Sequence, residues 1–197
     1  MRLNLGCGDD IRDGYVNVDL YGKCDVRADL TVFPWPFADS SVEEVMMLDF
    51  LEHVPWAKTE DILRESWRVL VSGGQLVVQV PDAEHCCRAL GMIRPFMCNS
   101  CGWEFPEDDL RANFFMCGKC SRSWDEVALA AAHRMFGGQD RPGNWHHMGF
   151  SQLLLRQLLL KNGFDNIKFL EKNERGETFW QNWNMKAVAT KKEDLWR

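Results

Sequence analysis

The sequence predicts an α/β domain built on a parallel sheet covered on both faces. Three observations carry that prediction. Short apolar strands alternate with helical patterns through the first half of the chain. Several of those strands are continuous apolar runs, as in sheets buried on both sides. The alternation breaks at about residues 94–123 and resumes in the last third.

Taken in order, Leu3–Leu5 is a short strand ending in Gly6-Cys7-Gly8, and Tyr15–Asp19 (YVNVD) alternates with period two. Val42–Leu48 is a third strand. Between Lys58 and Val71, Leu63, Trp67, Leu70 and Val71 fall on one helical face, and Ser72-Gly73-Gly74 is expected to stop that helix. Gln75–Val80 (QLVVQV) is a buried strand ended by Pro81. Ser151 can cap a helix running to Asn162, with Leu154, Leu155, Leu158 and Leu159 on one side and Gly163 as its stop. Ile167–Leu170 and Met185–Ala189 read as the final strands, with a turn region at Asn173–Gly176 between them.

With 197 residues the chain has room for one compact domain and a small insertion. Hydrophobic residues make up 46% and charged residues 26%, too apolar for disorder. Lys and Arg number 23 against 29 Asp and Glu, a formal net charge of −6, which gives no electrostatic footprint for nucleic acid without excluding it. No apolar run approaches the roughly 18 residues of a membrane span. MRLNLGCG lacks the basic and apolar regions of a signal peptide, so a cytoplasmic protein is expected.

The glycine loop is the first chemical signal. Glycines at 6 and 8 let the backbone approach a ligand closely. A plain tight turn would use them equally well, but Asp19 ends the next strand, where it can accept from ribose hydroxyls. A dinucleotide site wants a third glycine and a full helix facing the pyrophosphate. Ile11 stands where that glycine would be, and only six residues, Asp9–Gly14, separate the loop from the next strand. Asp9 and Asp10 would also repel phosphate. A cationic ligand without phosphate suits the loop better, and S-adenosylmethionine (SAM) is one.

Three segments, LNLGCGDDIRDGYVNVDL, ADLTVFPWPFADSSVEEVMMLDFLEHVP and ILRESWRVLVSGGQLVVQVPD, together resemble the class I SAM-dependent methyltransferases. The likeness is greatest to small bacterial and phage members assigned to glycan modification, and spans about residues 3–92 and 126–190. It implies a Rossmann-like sheet of order 3-2-1-4-5-7-6 with the last strand antiparallel. It implies that Asn4, Gly6, Cys7 and Gly8 line the methionine part of the cofactor. Asp19 would hold the ribose, Asp29 and Leu30 the adenine, and Leu48 and Asp49 would flank the ligand. The family usually carries an acidic residue near position 4 and a helix before the first strand. Here the first strand starts at residue 3, so a lid is expected from elsewhere.

Eight cysteines are present. Cys98-x-x-Cys101 and Cys117-x-x-Cys120 have the spacing of two knuckles closing a tetrahedral site, and Gly102 and Gly118 suit their turns. Structural zinc is the first reading; rubredoxin-like iron shares the spacing, and disulfides or free thiols are the remaining alternatives. Four thiolates leave no open coordination position, and a ribbon of about 30 residues needs a metal to fold. The expected organisation is a methyltransferase domain from residues 1–93 and 124–197 with a zinc ribbon at 94–123. Trp103, Phe105, Phe114 and Phe115 could stack bases or sugars, or form the ribbon's own small core. The other cysteines, 7, 24, 86 and 87, lack metal spacing.

SAM carries its own leaving group, so an enzyme mainly aligns the acceptor and sometimes removes a proton. Histidine is the natural base near neutral pH. The candidates are His53 in LEHVP, after the fourth strand, and His146 or His147 in GNWHHMGF, after the turn Phe136–Gln139. Structural or surface histidines are the competing reading. No [DNS]PP[YFW] motif and no Pro-Cys nucleophile is present; Val80-Pro81-Asp82 follows the fifth strand instead. The expected reaction is methyl transfer to oxygen or nitrogen of a small-molecule or carbohydrate-type acceptor. An RNA or protein methyltransferase using the ribbon for recognition, and a non-catalytic SAM-fold binding module, are the alternatives. Oligomeric state is not legible in the sequence.

Overall fold

The computed structural model describes residues 1–89, 131–139, 143–171 and 184–193. The strands are β1 (Arg2–Leu5), β2 (Val16–Asp19), β3 (Val26–Arg27), β4 (Val42–Leu48), β5 (Leu70–Pro81), β6 (Phe164–Leu170) and β7 (Asn184–Lys191). The helices are α1 (Trp56–Val69), α2 (Ala83–Ala89), a helical segment α3 described over 131–136, and α4 (Gln152–Lys161). A single 3-10 turn, Leu51–His53, precedes α1.

The seven strands form one sheet in the order β3-β2-β1-β4-β5-β7-β6. β1 to β5 pair in parallel, and β7 runs antiparallel between β5 and β6. This is the expected order and orientation. The chain steps from β1 outward to β2 and β3, then returns to β4 on the other side of β1. The strand order therefore reverses between β1 and β4, and the carboxyl ends of those strands are where such folds bind ligands.

Burial explains the central strands. Leu3, Leu5, Val18, Val45, Met47, Leu76, Val78 and Val80 are all fully buried. From α1, Ile62, Leu63 and Val69 pack into the same core. On α4, Leu155 and Leu159 are fully buried while Leu153 and Leu160 are exposed, so the apolar face is narrower than the run of leucines. Ser151 caps α4 as its sequence predicts, its Oγ accepting from the Leu154 N–H at 3.2 Å. Gly163 ends the helix at φ +85°, with no room for a Cβ against Trp67.

The sequence reading lacked β3 and began β6 at Ile167 rather than Phe164, and one helix boundary also differs from expectation. α1 stops at Val69, not at Ser72-Gly73-Gly74, because Leu70 is already extended and pairs with Val42 of β4. Residues 71–74 then form an irregularity, with Gly73 at φ +74°, before β5 resumes pairing at Gln75. Leu70 is fully buried in the strand, and its apolar spacing alone does not separate helix from strand. The proposed ribbon at 94–123 and the turn at Asn173–Gly176 lie outside the described residues.

Candidate active site

Apart from the His146–His147 loop, each part of the site hangs from the carboxyl end of a strand. β1 ends at Leu5, and the chain turns through Gly6 (φ +65°) and Gly8 (φ +51°). The N–H groups of Gly6 and Cys7 both donate to the Val18 carbonyl, at 2.8 and 3.2 Å, locking the loop to β2. Asn4 is buried beneath it; its amide donates to the Asp10 carbonyl at 2.7 Å and to Asn17 Oδ1 at 3.0 Å. Asn17, also buried, accepts from the Arg12 N–H and donates its amide to Asp25 at 2.8 Å. Both N–H groups of Asn17 that reach Asp25 hold its carboxyl below the usual range.

The two glycines face different surroundings. A Cβ at Gly6 would stand 2.3 Å from the Phe50 ring, so Gly6 is required by close packing. A Cβ at Gly8 would meet nothing within 4 Å, so Gly8 opens onto free space. The Gly8 N–H donates to Asp19 Oδ2 at 2.8 Å, and the Tyr21 N–H to Asp19 Oδ1 at 2.8 Å. Asp19 thus bridges the glycine loop and the turn after β2.

Asp29 follows β3 and is exposed, its Oδ1 accepting from both the N–H and the hydroxyl of Thr31. Those two bonds, the hydroxyl's first, lower its pKa. Leu30 is buried, and its carbonyl accepts from Trp35 Nε1 at 3.0 Å. The Trp35 N–H in turn donates to Glu65 on α1 at 2.6 Å.

At the end of β4, Leu48 is half-buried, and Asp49 just after it adopts φ +52°. The Asp49 carboxylate accepts from the Asn184 amide at 2.8 Å and the Gln79 amide at 3.3 Å, so it ties together the ends of β4, β5 and β7. Burial pushes its pKa up against those bonds. The next residues turn inward. Glu52 is 1% exposed, and neither carboxylate oxygen has a hydrogen-bond partner. Burial, then the Asp49 charge, pushes its pKa well above the usual value.

His53 sits beside it. Its Nδ1 pairs with the Trp145 carbonyl at 3.0 Å. His146 Nδ1 pairs with the Arg134 carbonyl at 2.7 Å. The two rings meet edge to face with centroids 4.7 Å apart. Burial lowers both pKa values, His146 to about 4, where the neighbouring His53 also contributes. The His147 N–H donates to the Glu52 carbonyl at 2.8 Å and pins the loop onto the 3-10 turn, while its side chain is exposed.

Of the three candidate histidines, the fold brings His53 and His146 into contact and places the exposed His147 beside them through its backbone. The candidate cofactor residues Gly6, Cys7, Gly8 and Asp19 gather at one loop, with Asp49 across the switch point. Cys98, Cys101, Cys117 and Cys120 lie outside the described residues. The sequence reading omitted Phe50, Glu52, Asn17 and Asn184. Glu52 had a signal, since it stands beside His53 in LEHVP; Asn184 had none, because only the sheet pairing of Pro81 with Asn184 brings it to Asp49.

Residues 13–78 match a family model described as a methyltransferase domain; the glycine loop lies just before the match. A SAM-dependent methyltransferase of Thermotoga maritima aligns over 97% of this chain and 82% of its own, at 17% identity and a TM-score of 0.55. One from Methanosarcina mazei aligns over 98% and 92%, at 16% identity and a TM-score of 0.54. The 1,6-didemethyltoxoflavin-N1-methyltransferase of Burkholderia thailandensis, solved with 1,6-didemethyltoxoflavin and S-adenosylhomocysteine, aligns over 98% and 71%, at 12% identity and a TM-score of 0.52. At such identities the structural likeness shows the fold. No curated protein matches the sequence. The domain match supports a methyltransferase, and the neighbours show that the chain has the fold of SAM-dependent ones.

Proposed function

We propose that the protein transfers a methyl group from SAM to an oxygen or nitrogen of a small-molecule or carbohydrate-type acceptor. The carrying observation is the convergence at the switch point: two positive-φ glycines, the Asp19 bridge and the open space over Gly8. The donor set fits SAM on its own chemistry. Asp9 and Asp10 follow the loop directly and Asp19 bonds its Gly8 N–H, an acidic surrounding that disfavours a phosphate and suits a cation, although Arg12 pairs with Asp10. SAM would supply an electrophilic methyl group on a sulfonium.

The chain's own residues hold and orient. Gly6, Cys7 and Gly8 would border the methionine portion, with Asn4 fixing the loop from beneath. Asp19 would exchange an internal N–H bond for ribose hydroxyls. Asp29 and Leu30 would border the adenine, and Leu48 and Asp49 would flank the ligand. His53, held neutral by burial, is placed to take a proton from an acceptor; His146 and His147 supply the loop around it. The Cys98, Cys101, Cys117 and Cys120 quartet would hold a structural zinc ion in a ribbon of residues 94–123 inserted between residues 1–93 and 124–197. Thiolate ligation and further free thiols at 7, 24, 86 and 87 suit a reducing, cytoplasmic setting.

Isothermal calorimetry with SAM and S-adenosylhomocysteine tests the reading. Micromolar binding of both is expected. Absence of binding would leave a SAM-fold module without this cofactor and sink the proposal.

A further inference from the structure

We propose that Glu52, His53 and His146 form a binding site for one divalent first-row transition-metal ion, separate from the cysteine quartet. One ligand atom from each of the three lies within 4.8 Å of the others. Donors around a bound ion stand roughly 3.3 Å apart, given 2.0–2.1 Å bonds and tetrahedral angles. The three atoms therefore close by no more than about 1.5 Å on binding, within side-chain reach.

Three further features point the same way. Glu52 is buried with both carboxylate oxygens unpartnered, and buried polar groups normally find partners. A cation would supply the missing one. Next, both histidines are held from behind by main-chain carbonyls, His53 Nδ1 by Trp145 and His146 Nδ1 by Arg134. A proton on Nδ1 fixes the tautomer of His146 and leaves its Nε2 with a lone pair, the arrangement metal-binding histidines use; His53 has the Gly143 carbonyl as a second main-chain partner. Finally, two elements meet to make the cluster. Glu52 and His53 come from the 3-10 turn after β4, and His146 from the loop before α4. That loop is itself fixed by the His147 N–H on the Glu52 carbonyl and the His146 N–H on the Phe136 carbonyl.

The donor set selects the ion. Two imidazoles and one carboxylate suit Zn²⁺, Fe²⁺ or Co²⁺ better than the oxygen-loving Mg²⁺ or Ca²⁺. Three protein ligands leave at least one position open, as in catalytic rather than structural sites. With an ion bound, His53 is a ligand and no longer takes the acceptor's proton; the ion would instead polarise an acceptor hydroxyl, a use that rests on the methyl-transfer reading, whereas the site itself does not.

The test is titration of the full-length protein, as purified, with Co²⁺ alone, followed by calorimetry and visible absorption. One added Co²⁺ per chain is expected, giving weak ligand-field bands without a sulfur-to-cobalt charge-transfer band. Glu52→Gln and His146→Gln should each weaken that uptake at least tenfold with an unchanged circular dichroism spectrum. If one variant fails to fold, His53→Gln reads the same site. Equal Co²⁺ affinity in the wild type and the variants, uptake showing only sulfur ligation, or no uptake at all would overturn the proposal.

Discussion

At the residue scale, Gly6 and Gly8 share a backbone conformation but not an environment, so substitution separates folding from binding. Alanine in the left-handed region costs about 1–2 kcal/mol at either position. At Gly6 the added Cβ would also stand 2.3 Å from Phe50, while at Gly8 it meets open space. Gly6→Ala should therefore lower the urea midpoint by more than Gly8→Ala, and Phe50→Ala in the Gly6→Ala background should recover part of the loss. Gly8→Ala should leave the protein folded but reduce SAM affinity at least tenfold, because the space it fills is where the cofactor is proposed to lie. Unchanged SAM affinity in Gly8→Ala would place the cofactor elsewhere. The thiols give a second residue-level test. Burial pushes the Cys7 thiol up to about 11 and Cys86 up to about 12. Both should resist alkylation at pH 8 in the native protein and react after unfolding, as peptide mass mapping would show.

At the scale of elements, the decisive contact is the one between α1 and the loop after β3. Glu65 is buried and accepts from the Trp35 N–H and Arg68 Nη2, each at 2.6 Å, and from Arg68 Nε at 2.9 Å. Arg68 also pairs with Asp39 and reaches the Trp35 carbonyl at 3.3 Å. This network clamps the loop whose start carries Asp29 and Leu30. Removing Glu65 leaves a main-chain N–H and a guanidinium without their partner, so Glu65→Ala should cost about 2–4 kcal/mol in urea denaturation. If the clamp positions the adenine end, the same variant should weaken SAM binding under conditions where it remains folded. A stability loss with SAM affinity intact would confine Glu65 to folding. The sequence made the element types legible here but not the clamp. Leu63 and Trp67 marked one face of α1 by their spacing. Nothing local marks Glu65 as buried, because its partner Trp35 stands thirty residues earlier in the chain.

For the whole molecule, what was legible followed the range of the interaction. Six of the seven strands were readable because apolar runs and glycine stops are local signals, whereas the two-residue β3 was too short to leave a pattern and the strand order came from the family resemblance. The glycine loop was readable for the same reason. The Glu52–His53–His146 cluster was only half readable: two members adjoin in the sequence, and the third arrives from more than ninety residues away through the return of the chain to the sheet. Acid sensitivity of the whole fold is a consequence of the same burial. His85 lies in the first turn of α2 with 6% of its surface exposed, and desolvation followed by the Arg88 charge lowers its pKa from the usual 6.5 to about 4. Asp82 accepts from the Glu84 and His85 N–H groups at the start of that helix. A depressed folded-state value means that the unfolded chain binds the proton more tightly. Stability is therefore complete above about pH 6.5 and is lost as the pH falls toward 4. Between pH 7.5 and 5 this one group should remove about 2 kcal/mol. His146, also depressed to about 4, acts with the same sign. Urea unfolding across that range should show the midpoint falling with acidification, and His85→Gln should flatten the slope by about 2 kcal/mol while leaving the value at pH 7.5 within about 1 kcal/mol of wild type. An unaltered slope in His85→Gln would mean that the imidazole regains its proton without loss of the fold, and that acid sensitivity originates elsewhere in the molecule.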